Sequence, residues 1–445
     1  LLYIEGVVWA RIEEETVCVG NVPLQGVAIP NTRVHFIGGL VCCILSTETA
    51  CETGHQEQCD EAGCRPLRGH VVFEYVLPHE SVDRPCFGHF FVEGNVHDGK
   101  GCPKSVGEGR RGGCMRIEGA HVLVTGGTGS IGSEVVRQLM DRGPKHITIF
   151  SRDDSKHFYF QQELVGRDDI TFIIGDVRDR ESLARAFQTD VDIVIHAAAL
   201  KHVLICEQNP IEAVKTNILG TQNVVDLAKD AGVQMMLMVS TDKAVSPTST
   251  MGASKYVAEK LTLDGNSNGD MLCACVRFGN VLGSRGSVIP AMVKGIKERG
   301  EVWISDEAVT RFAMPIPEAA SLVLDAVEMT EGGEIFVLKM KGFSLGQLLS
   351  VFKNMNLREG GFNVDVRGLI RAEKLHEDLV TSDEIARLYE TDSHYVVAPP
   401  VGDWSPASNM QKVDLSEYNS SHAEMFEDAE LVDHIRECIV MLGLE

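Results

Sequence analysis

From residue 115 onward, short apolar runs alternate with longer amphipathic stretches. The runs predicted to be buried strands are HVLVTGG, HITIF, TFIIGDVRD, DIVIHAAAL and MMLMV, because each is rich in apolar and β-branched residues and most end in turn residues. Apolar residues at helical spacing follow, as in SEVVRQLMDRG. Strands and helices in alternation predict an α/β fold with a doubly wound, parallel sheet.

The first of these strands runs into a glycine-rich turn, TGGTGSIG, which opens a helix. Gly126, Gly129 and Gly132 let the backbone turn tightly and approach a pyrophosphate, at which the helix N-terminus directs its amide groups. Ser130 and Ile131 complete this loop. A glycine triplet between a strand and a helix, with a second strand following, predicts a Rossmann dinucleotide-binding domain, which we place at 115–280.

The second strand ends in Ser151 and Arg152. An acidic residue at this place would bind a ribose 2′-hydroxyl and favour NAD, whereas an arginine suits the 2′-phosphate of NADP. We therefore predict NADP rather than NAD as the cofactor. The alternative is that Arg152 faces solvent, since Asp153 and Asp154 follow it directly.

Later strand ends supply the rest of the predicted cofactor site. An Asp-Val pair is placed to meet an adenine ring, three alanines let a strand end pass close to the cofactor, and a lysine and an asparagine are expected to face the site. These residues are Asp176, Val177, Ala197, Ala198, Ala199, Lys201 and Asn217, and Lys201 is also predicted to bind the substrate.

The stretch 240–255, STDKAVSPTSTMGASK, carries the densest candidate chemistry. Thr241, Asp242 and Lys243 directly follow a predicted strand, and Lys255 lies in the helix that comes next. Open α/β sheets bind their ligands at the carboxyl ends of strands, so a carboxyl and an ammonium side by side here predict a catalytic pair. The alternative is a solvated loop, because charge pairs are common on protein surfaces.

The second half, 281–445, is predicted to be a smaller α+β domain that binds a phosphorylated substrate. Asn280 and Arg285 suit a diphosphate, because arginine offers a fixed fork of donors. Ser287 lies near a helix start and either caps that helix or contacts phosphate.

Composition limits the classes of partner that the chain is expected to bind. The 445 residues carry a formal charge of −23, which disfavours nucleic acid and anionic membranes but leaves room for a local basic pocket. No uncharged apolar run approaches the roughly 18 residues of a membrane-spanning helix, so we predict no membrane insertion and a cytoplasmic protein.

Residues 1–114 differ from the remainder and are predicted to be an extension whose role the sequence does not indicate. They hold nine of the 13 cysteines. Cys51, His55, Cys59 and Cys64 do not have the paired spacing of zinc ligands, so no metal site is predicted.

The ordered motifs TGGTGSIG, SRDD, GDVRD, HAAALKHV, STDKA, MGASK, RFGNVLGSRGSVIP and EKLHEDL carry a resemblance. Together they resemble the extended short-chain dehydrogenases/reductases, and within them the UDP-N-acetylglucosamine 4,6-dehydratases of polysaccharide synthesis. The resemblance covers about three quarters of the chain, from residue 115. It implies a UDP-sugar substrate and a homo-oligomer.

The resemblance also implies catalytic roles. Asp242 would protonate the departing 6-hydroxyl, Lys243 would remove the C5 proton, Thr241 would bind the C4 oxygen, and Lys255 would hold the nicotinamide ribose while assisting oxidation at C4. The acid and base roles require the pKa of Asp242 to be raised and that of Lys243 to be lowered; burial does both, and their mutual attraction opposes both.

Further family positions follow. Met251 stands where most short-chain dehydrogenases have tyrosine, and methionine has no ionisable proton. Arg311, in Thr310-Arg311-Phe312, matches a substrate-domain motif as a second phosphate ligand or forms an ion pair instead. Glu373 and Lys374 match a segment that closes over the nucleotide, although Ile370-Arg371-Ala372 departs from its usual RPG.

Two alternatives remain open. A UDP-sugar 4-epimerase would need no acid–base pair at C5 and C6, but would want the missing tyrosine. A non-catalytic NADP-binding regulator would have no need of Asp242, Lys243 and Lys255 together.

Overall fold

The computed structural model describes residues 116–266, 271–284, 286–402, 404–441 and 443, together with seven strands before residue 92. The chain divides into two compact units, Leu1–Glu108 and Gly109–Glu445. The four cysteine and histidine residues considered above as zinc ligands lie outside the described residues.

Strands in the first unit pair only in antiparallel fashion. One sheet has three strands, and two further pairs are hairpins. They are β1 (Leu2–Ile4), β2 (Val7–Ile12) and β3 (Glu15–Gly20) in the sheet, then β4 (Thr32–Ile37) with β5 (Leu40–Leu45), and β6 (Val72–Val76) with β7 (Phe87–Phe91).

The second unit holds fifteen strands within its described residues. They are β8 (His121–Thr125), β9 (His146–Ser151), β10 (Ile170–Ile174), β11 (Ile193–His196), β12 (Met235–Val239), β13 (Leu272–Arg277), β14 (Asn280–Leu282), β15 (Glu301–Ile304), β16 (Thr310–Pro315), β17 (Ile335–Leu338), β18 (Lys341–Ser344), β19 (Asn363–Val366), β20 (Leu388–Glu390), β21 (His394–Val397) and β22 (Gln411–Lys412).

Twelve α-helices accompany these strands in the described residues. They are α1 (Ser130–Asp141), α2 (Asp154–Glu163), α3 (Arg180–Ala184), α4 (Val203–Gln208), α5 (Pro210–Ala213), α6 (Gly220–Asp230), α7 (Thr250–Asp264), α8 (Val288–Arg299), α9 (Ile316–Met329), α10 (Leu345–Asn354), α11 (Ser382–Ile385) and α12 (Asp428–Met441). Two 3-10 turns, Arg185–Phe187 and Asp242–Ala244, and one π-helical turn, Val214–Leu219, complete the set.

The central sheet has ten strands in the order β10-β9-β8-β11-β12-β13-β17-β21-β20-β22. The first seven are parallel and the last three antiparallel. Alternate residues of one strand enter cores on opposite faces: Val122 and Val124 pack on one side, and Leu123 packs on the other. The predicted doubly wound Rossmann architecture is therefore confirmed.

A separate apolar core lies in the second half of the chain, with members that run from Leu282 to Cys438. It lies beside the small sheet β14-β16-β18 and the pair β15-β19. Strand β17 and the three antiparallel strands nevertheless join the central sheet from beyond residue 280. The boundary placed at 280/281 stays a prediction.

Strand order reverses between β8 and β11, since β9 and β10 extend to one side of β8 while β12 and β13 extend beyond β11. Open parallel sheets bind ligands in the crevice at such a reversal, outside the carboxyl ends of the strands. The fold therefore directs attention to the loops after β8, β11 and β12.

Candidate active site

The glycine-rich turn connects β8 to α1 and has no room for a side chain at Gly126 or Gly132. Gly126 has a φ of +70°, and a Cβ atom there would lie 2.7 Å from the Ala198 amide nitrogen. A Cβ atom at Gly132 would lie 2.3 Å from the Gly126 carbonyl oxygen. The bare backbone thus lets the α1 N-terminus lie against the ends of β8 and β11, where the turn forms a cradle for a phosphate.

A cleft of about 230 Å³ opens beside this turn. Nine of the predicted cofactor residues line it: Gly126, Gly129, Ser151, Arg152, Asp176, Val177, Ala197, Ala198 and Ala199. Thr128, Lys156 and Thr216 also line it, and the sequence reasoning missed them. The Thr216 hydroxyl oxygen is buried and has no hydrogen-bond partner among the described residues.

The end of the cleft after β9 holds two cations, each beside a carboxylate. Arg152 is half-exposed, and its guanidinium lies 3.9 Å from an Asp176 carboxylate oxygen. Lys156 Nζ lies 2.7 Å from Asp153, whose carboxylate also caps α2. The Ser151 hydroxyl is held by hydrogen bonds with the Thr128 hydroxyl and the His157 ring. The two cations and the Ser151 hydroxyl are thus all engaged by neighbouring protein groups at this end of the cleft.

Other predicted cofactor residues lie outside the lining of this cleft. Gly132 lies beneath the turn, and Ser130 lines a neighbouring cavity of about 940 Å³. Lys201 is exposed. The Asn217 amide is used within the protein: it accepts from the Leu200 amide at 2.8 Å and donates to the Ser254 hydroxyl at 2.9 Å. Because these contacts join the loop after β11 to α7, Asn217 positions that loop; its contact with a cofactor stays a prediction, as does that of Ile131.

The predicted acid–base pair lies at the carboxyl end of β12, in the 3-10 turn. Asp242 is fully buried, and its Oδ1 atom accepts from the Thr241 hydroxyl at 2.7 Å and from the Lys243 amide at 2.9 Å. Lys243 Nζ lies 3.0 Å from Oδ1 and 3.2 Å from Oδ2, and 3.5 Å from the Asn280 side-chain oxygen. The structure therefore brings Thr241, Asp242, Lys243 and Asn280 together.

A second carboxylate, missed by the sequence reasoning, faces the same ammonium. Glu377 Oε1 lies 3.5 Å from Lys243 Nζ, and the side chain is almost fully buried. Burial acts to lower the pKa of Lys243, but the charges of Asp242 and Glu377 together raise it above its ordinary value. The expectation of a lowered pKa for Lys243 is therefore wrong in this structure, because two carboxylates face the ammonium rather than one.

The pKa of Lys255 is shifted in the opposite direction from that of Lys243. Its Nζ donates a 2.7 Å hydrogen bond to the Val239 carbonyl at the end of β12, and burial lowers its pKa to about 8. The Met251 side chain, one helical turn earlier, is buried in an apolar cluster with Cys206 and Ala213. The Lys255 amine can thus gain or lose a proton near neutral pH, whereas the Met251 side chain packs against apolar neighbours.

The predicted substrate residues differ in whether their side chains already have partners within the protein. The Arg311 guanidinium is buried, donates to Glu373 Oε1 at 2.8 Å and also donates to the Lys374 carbonyl. Arg311 and Glu373 therefore form an ion pair, but a largely buried one rather than the ordinary surface pair that was the alternative, and their contact with substrate stays a prediction. Ser287 precedes α8 without a capping hydrogen bond from its side chain, whose oxygen has no partner among the described residues. Arg285 lies outside the described residues.

The segment around Glu373 is joined to the loop that follows Lys243. Lys374 Nζ donates to the Val245 carbonyl at 2.8 Å, and the Thr248 hydroxyl donates to the Ala372 carbonyl at 3.2 Å. These contacts hold Glu377 over the end of β12.

Neither a metal site nor a membrane-spanning helix is found in the described part of the chain. Within the described ranges, no group of three His, Cys, Asp or Glu side chains is arranged to hold a metal ion. No helix in that same part of the chain is both long and apolar enough to cross a lipid bilayer.

Known proteins share this fold and these motifs. Residues 122–399 match the family described as polysaccharide biosynthesis protein. The UDP-N-acetylglucosamine 4,6-dehydratase (inverting) of Campylobacter jejuni is 38% identical over 291 residues, which cover 64% of this chain and 84% of that protein. The UDP-glucose 4-epimerase of Rickettsia rickettsii is 36% identical over 312 residues, 68% and 90% of the two chains.

Solved structures agree with the sequence matches. The X-ray structure of Pen from Bacillus thuringiensis is 34% identical, covers 74% of this chain and all of its own, and superimposes with a TM-score of 0.68. The motifs, the strand order and the family match lead to one assignment. The chain belongs to the polysaccharide biosynthesis protein family, within the extended short-chain dehydrogenase/reductase superfamily.

Proposed function

We propose that the chain catalyses the NADP-dependent 4,6-dehydration of a UDP-N-acetylhexosamine, with UDP-N-acetylglucosamine as its substrate, to a 4-keto-6-deoxy sugar for surface polysaccharide or glycan synthesis. The observation that carries the proposal is the ion pair between the buried Asp242 and the partly buried Lys243 at the end of β12. A sugar-nucleotide enzyme that removes water needs an acid and a base at adjacent carbons, and an ionisable pair in this place supplies both types.

The dinucleotide cradle fits NADP. The glycine turn leaves space for a pyrophosphate, and Arg152 and Lys156 line the end of the cleft where a ribose phosphate would lie. When bound in this cradle, NADP would supply the hydride transfer that the reaction needs, from C4 of the sugar to C6.

The residues of this chain supply the protons. Oxidation at C4 releases the hydroxyl proton to Lys255, Lys243 or water. Once C4 is a ketone, the C5 proton is acidic enough for an amine to remove it, which is the role of the neutral form of Lys243, and a proton returns to C5 as the hydride arrives at C6. Asp242 in its protonated form donates to the departing 6-hydroxyl. Lys255, charged below about pH 8, lies next to β12 and stabilises negative charge at the C4 oxygen, which Thr241 also contacts.

A proton NMR time course tests the proposed reaction. The purified chain with NADP and UDP-N-acetylglucosamine should give a new C6 methyl doublet, and the Lys243→Ala variant should give none. A folded, NADP-binding wild-type chain that yields no methyl signal would contradict dehydration of this substrate.

The epimerase alternative is supported by the Rickettsia relative. The Asp242–Lys243 pair disfavours it, because an epimerase needs no acid and base at C5 and C6. Met251 does not separate the two reactions, since both oxidise C4 and a thioether has no ionisable proton. An epimerase would convert the sugar to its C4 epimer with the 6-hydroxyl retained.

The cofactor preference has its own test. Arg152→Ala should weaken binding of NADP about tenfold or more and leave NAD almost unchanged, since only NADP carries the phosphate that the guanidinium contacts. Arg167→Ala, which removes a surface arginine paired with Asp169, is the matched control and should bind both cofactors as the wild type does. An equal loss for NAD and NADP would contradict the NADP assignment.

A homo-oligomer is also part of the proposal. Apolar side chains of α4, α5 and α7 are exposed on the single chain, among them Leu204, Ile205, Ile211 and Tyr256. Such surface is commonly covered by another subunit.

A further inference from the structure

The proposed dehydration requires protonation states that the charges around Lys243 oppose. The base must be a neutral amine and the acid must be protonated, yet two carboxylates, Asp242 and Glu377, face the ammonium of Lys243. With both carboxylates ionised, the buried group of three carries one net negative charge. Protonation of one carboxylate would make the group neutral, which a buried site favours.

The hydrogen bonds indicate which carboxylate holds that proton. Asp242 Oδ1 accepts from the Thr241 hydroxyl, the Lys243 amide and the Lys243 ammonium, and these three donors stabilise the ionised form. Glu377 Oε2 is buried without any hydrogen-bond partner among the described residues. An ionised oxygen without a donor is costly to bury, so the proton belongs on Glu377.

The other charges around Glu377 do not reverse this conclusion. Arg311, from β16, is engaged by Glu373, and Lys374 by the Val245 carbonyl and Asp378. Burial is the largest influence on the pKa of Glu377 and raises it, and the charge of Asp242 raises it further. The charges of Lys243, Arg311 and Lys374 lower this pKa, but the net shift is upward.

We propose that Glu377 is a positioning residue of the acid–base site, which acts through Lys243 and is protonated while the site reacts. With Glu377 neutral, Lys243 faces a single negative charge. Its proton can then pass from Nζ to an Asp242 oxygen: one N–H bond breaks and one O–H bond forms. This single transfer yields both the free amine for the C5 proton and the carboxylic acid for the 6-hydroxyl. The inference rests on the proposed dehydration.

Two carboxylate-to-amide variants beside the same lysine test the inference. Glu377→Gln imitates the protonated acid and should keep the rate of C6 methyl formation within about threefold of wild type near neutral pH. Asp242→Asn, which cannot accept or deliver the proton, should lose at least about a thousandfold. The wild-type rate should fall at high pH for two reasons: Glu377 ionises and holds the proton on Lys243, and Lys255 loses its charge above about pH 8. Glu377→Gln should keep only the decline that Lys255 causes.

The opposite pattern would overturn the inference. A Glu377→Gln chain that loses more than about tenfold at every pH, with a profile parallel to wild type, would make Glu377 a charged structural partner. If wild-type protein forms no methyl product, the proposed function fails instead, and the two failures are thus distinct.

Infrared spectroscopy gives a test that does not depend on the variant being active. At about pH 6 an ordinary glutamate is almost fully ionised. The wild-type chain should show a protonated carboxylic acid band there that Glu377→Asp retains and Glu377→Gln lacks. Its absence from the wild type would contradict the inference.

Discussion

Two lysines of one site, the buried Lys255 and the partly buried Lys243, differ in the direction of their pKa shifts because their neighbours differ. Lys243 faces Asp242 and Glu377, which raise its pKa, whereas the Nζ atom of Lys255 contacts a backbone carbonyl and burial lowers its pKa to about 8. The helix position of Lys255 was predictable from the sequence. The direction of each shift was not, because it depends on burial and on a residue 134 positions away from Lys243.

Lys255→Met tests what burial of this charge does to stability. Between the folded-state pKa of about 8 and the ordinary 10.5, the unfolded chain binds more protons than the folded one, so wild-type stability rises with pH. Below that range, burial of the charged Lys255 destabilises the folded wild-type chain by about 3 kcal/mol. The substitution removes this cost but also removes the hydrogen bond to Val239, which offsets about 1 kcal/mol of the gain.

We expect Lys255→Met to be more stable than wild type by about 1–2 kcal/mol at pH 7 in denaturant unfolding, with the difference lost as pH approaches 10.5. Its dehydration activity should be lost. Lys260→Met, an exposed position on the same helix, should change stability by less than about 0.5 kcal/mol at either pH. A Lys255→Met chain that is less stable than wild type at pH 7 would refute the cost assigned to this charge.

Glu377 and Thr216 show where sequence reasoning ends at this scale. Glu377 lies in a motif that was recognised, but only the fold brings it to Lys243. Thr216 stands beside Asn217, which was predicted to face the cofactor. The π-helical turn Val214–Leu219 adds a residue to the helical register, and in this turn Thr216 lines the cleft while Asn217 binds the loop.

At the scale of elements, the β8–α1 connection was the most predictable part. Its glycine spacing and its place between a strand and a helix fixed the type of turn, since only glycine fits where backbone meets backbone. The parallel sheet was equally predictable from alternating strands and helices. The antiparallel strands β20, β21 and β22 were not, because they are short and carry little alternation.

Gly132→Ala tests the close packing of this connection. The added Cβ atom would lie 2.3 Å from the Gly126 carbonyl oxygen, so the turn must move. We expect a loss of about 1–3 kcal/mol in unfolding free energy and at least about a tenfold loss of NADP affinity by calorimetry. Asp141→Ala, at the exposed end of α1, should change neither. Unchanged NADP binding by Gly132→Ala would contradict the role of the turn.

At the scale of the whole second unit, a buried charge network joins distant elements. Arg277 of β13 forms paired hydrogen bonds with Glu259 of α7 and with Glu384 of α11, at 2.7 to 2.9 Å. It also donates to the Leu379 carbonyl, two residues after Glu377. The network therefore anchors the segment that holds Glu377 to the sheet that holds Lys243.

Arg277→Met should destabilise the chain by about 3–5 kcal/mol, because two buried carboxylates lose their partner. Arg142→Met is the matched control: Arg142 also pairs with two acids, Asp325 and Glu328, but all three side chains are partly exposed. That variant should lose no more than about 1 kcal/mol. Equal losses in denaturant unfolding would contradict the importance of burial.

The whole reaction is most sharply tested by following one atom. UDP-N-acetylglucosamine that carries deuterium at C4, incubated with the full chain and NADP, should give a product whose C6 methyl group contains the deuterium. That result requires hydride to leave C4 and return at C6, with water lost between them. Deuterium recovered at C4 of a sugar that keeps its 6-hydroxyl would identify an epimerase and contradict the dehydratase proposed for this chain.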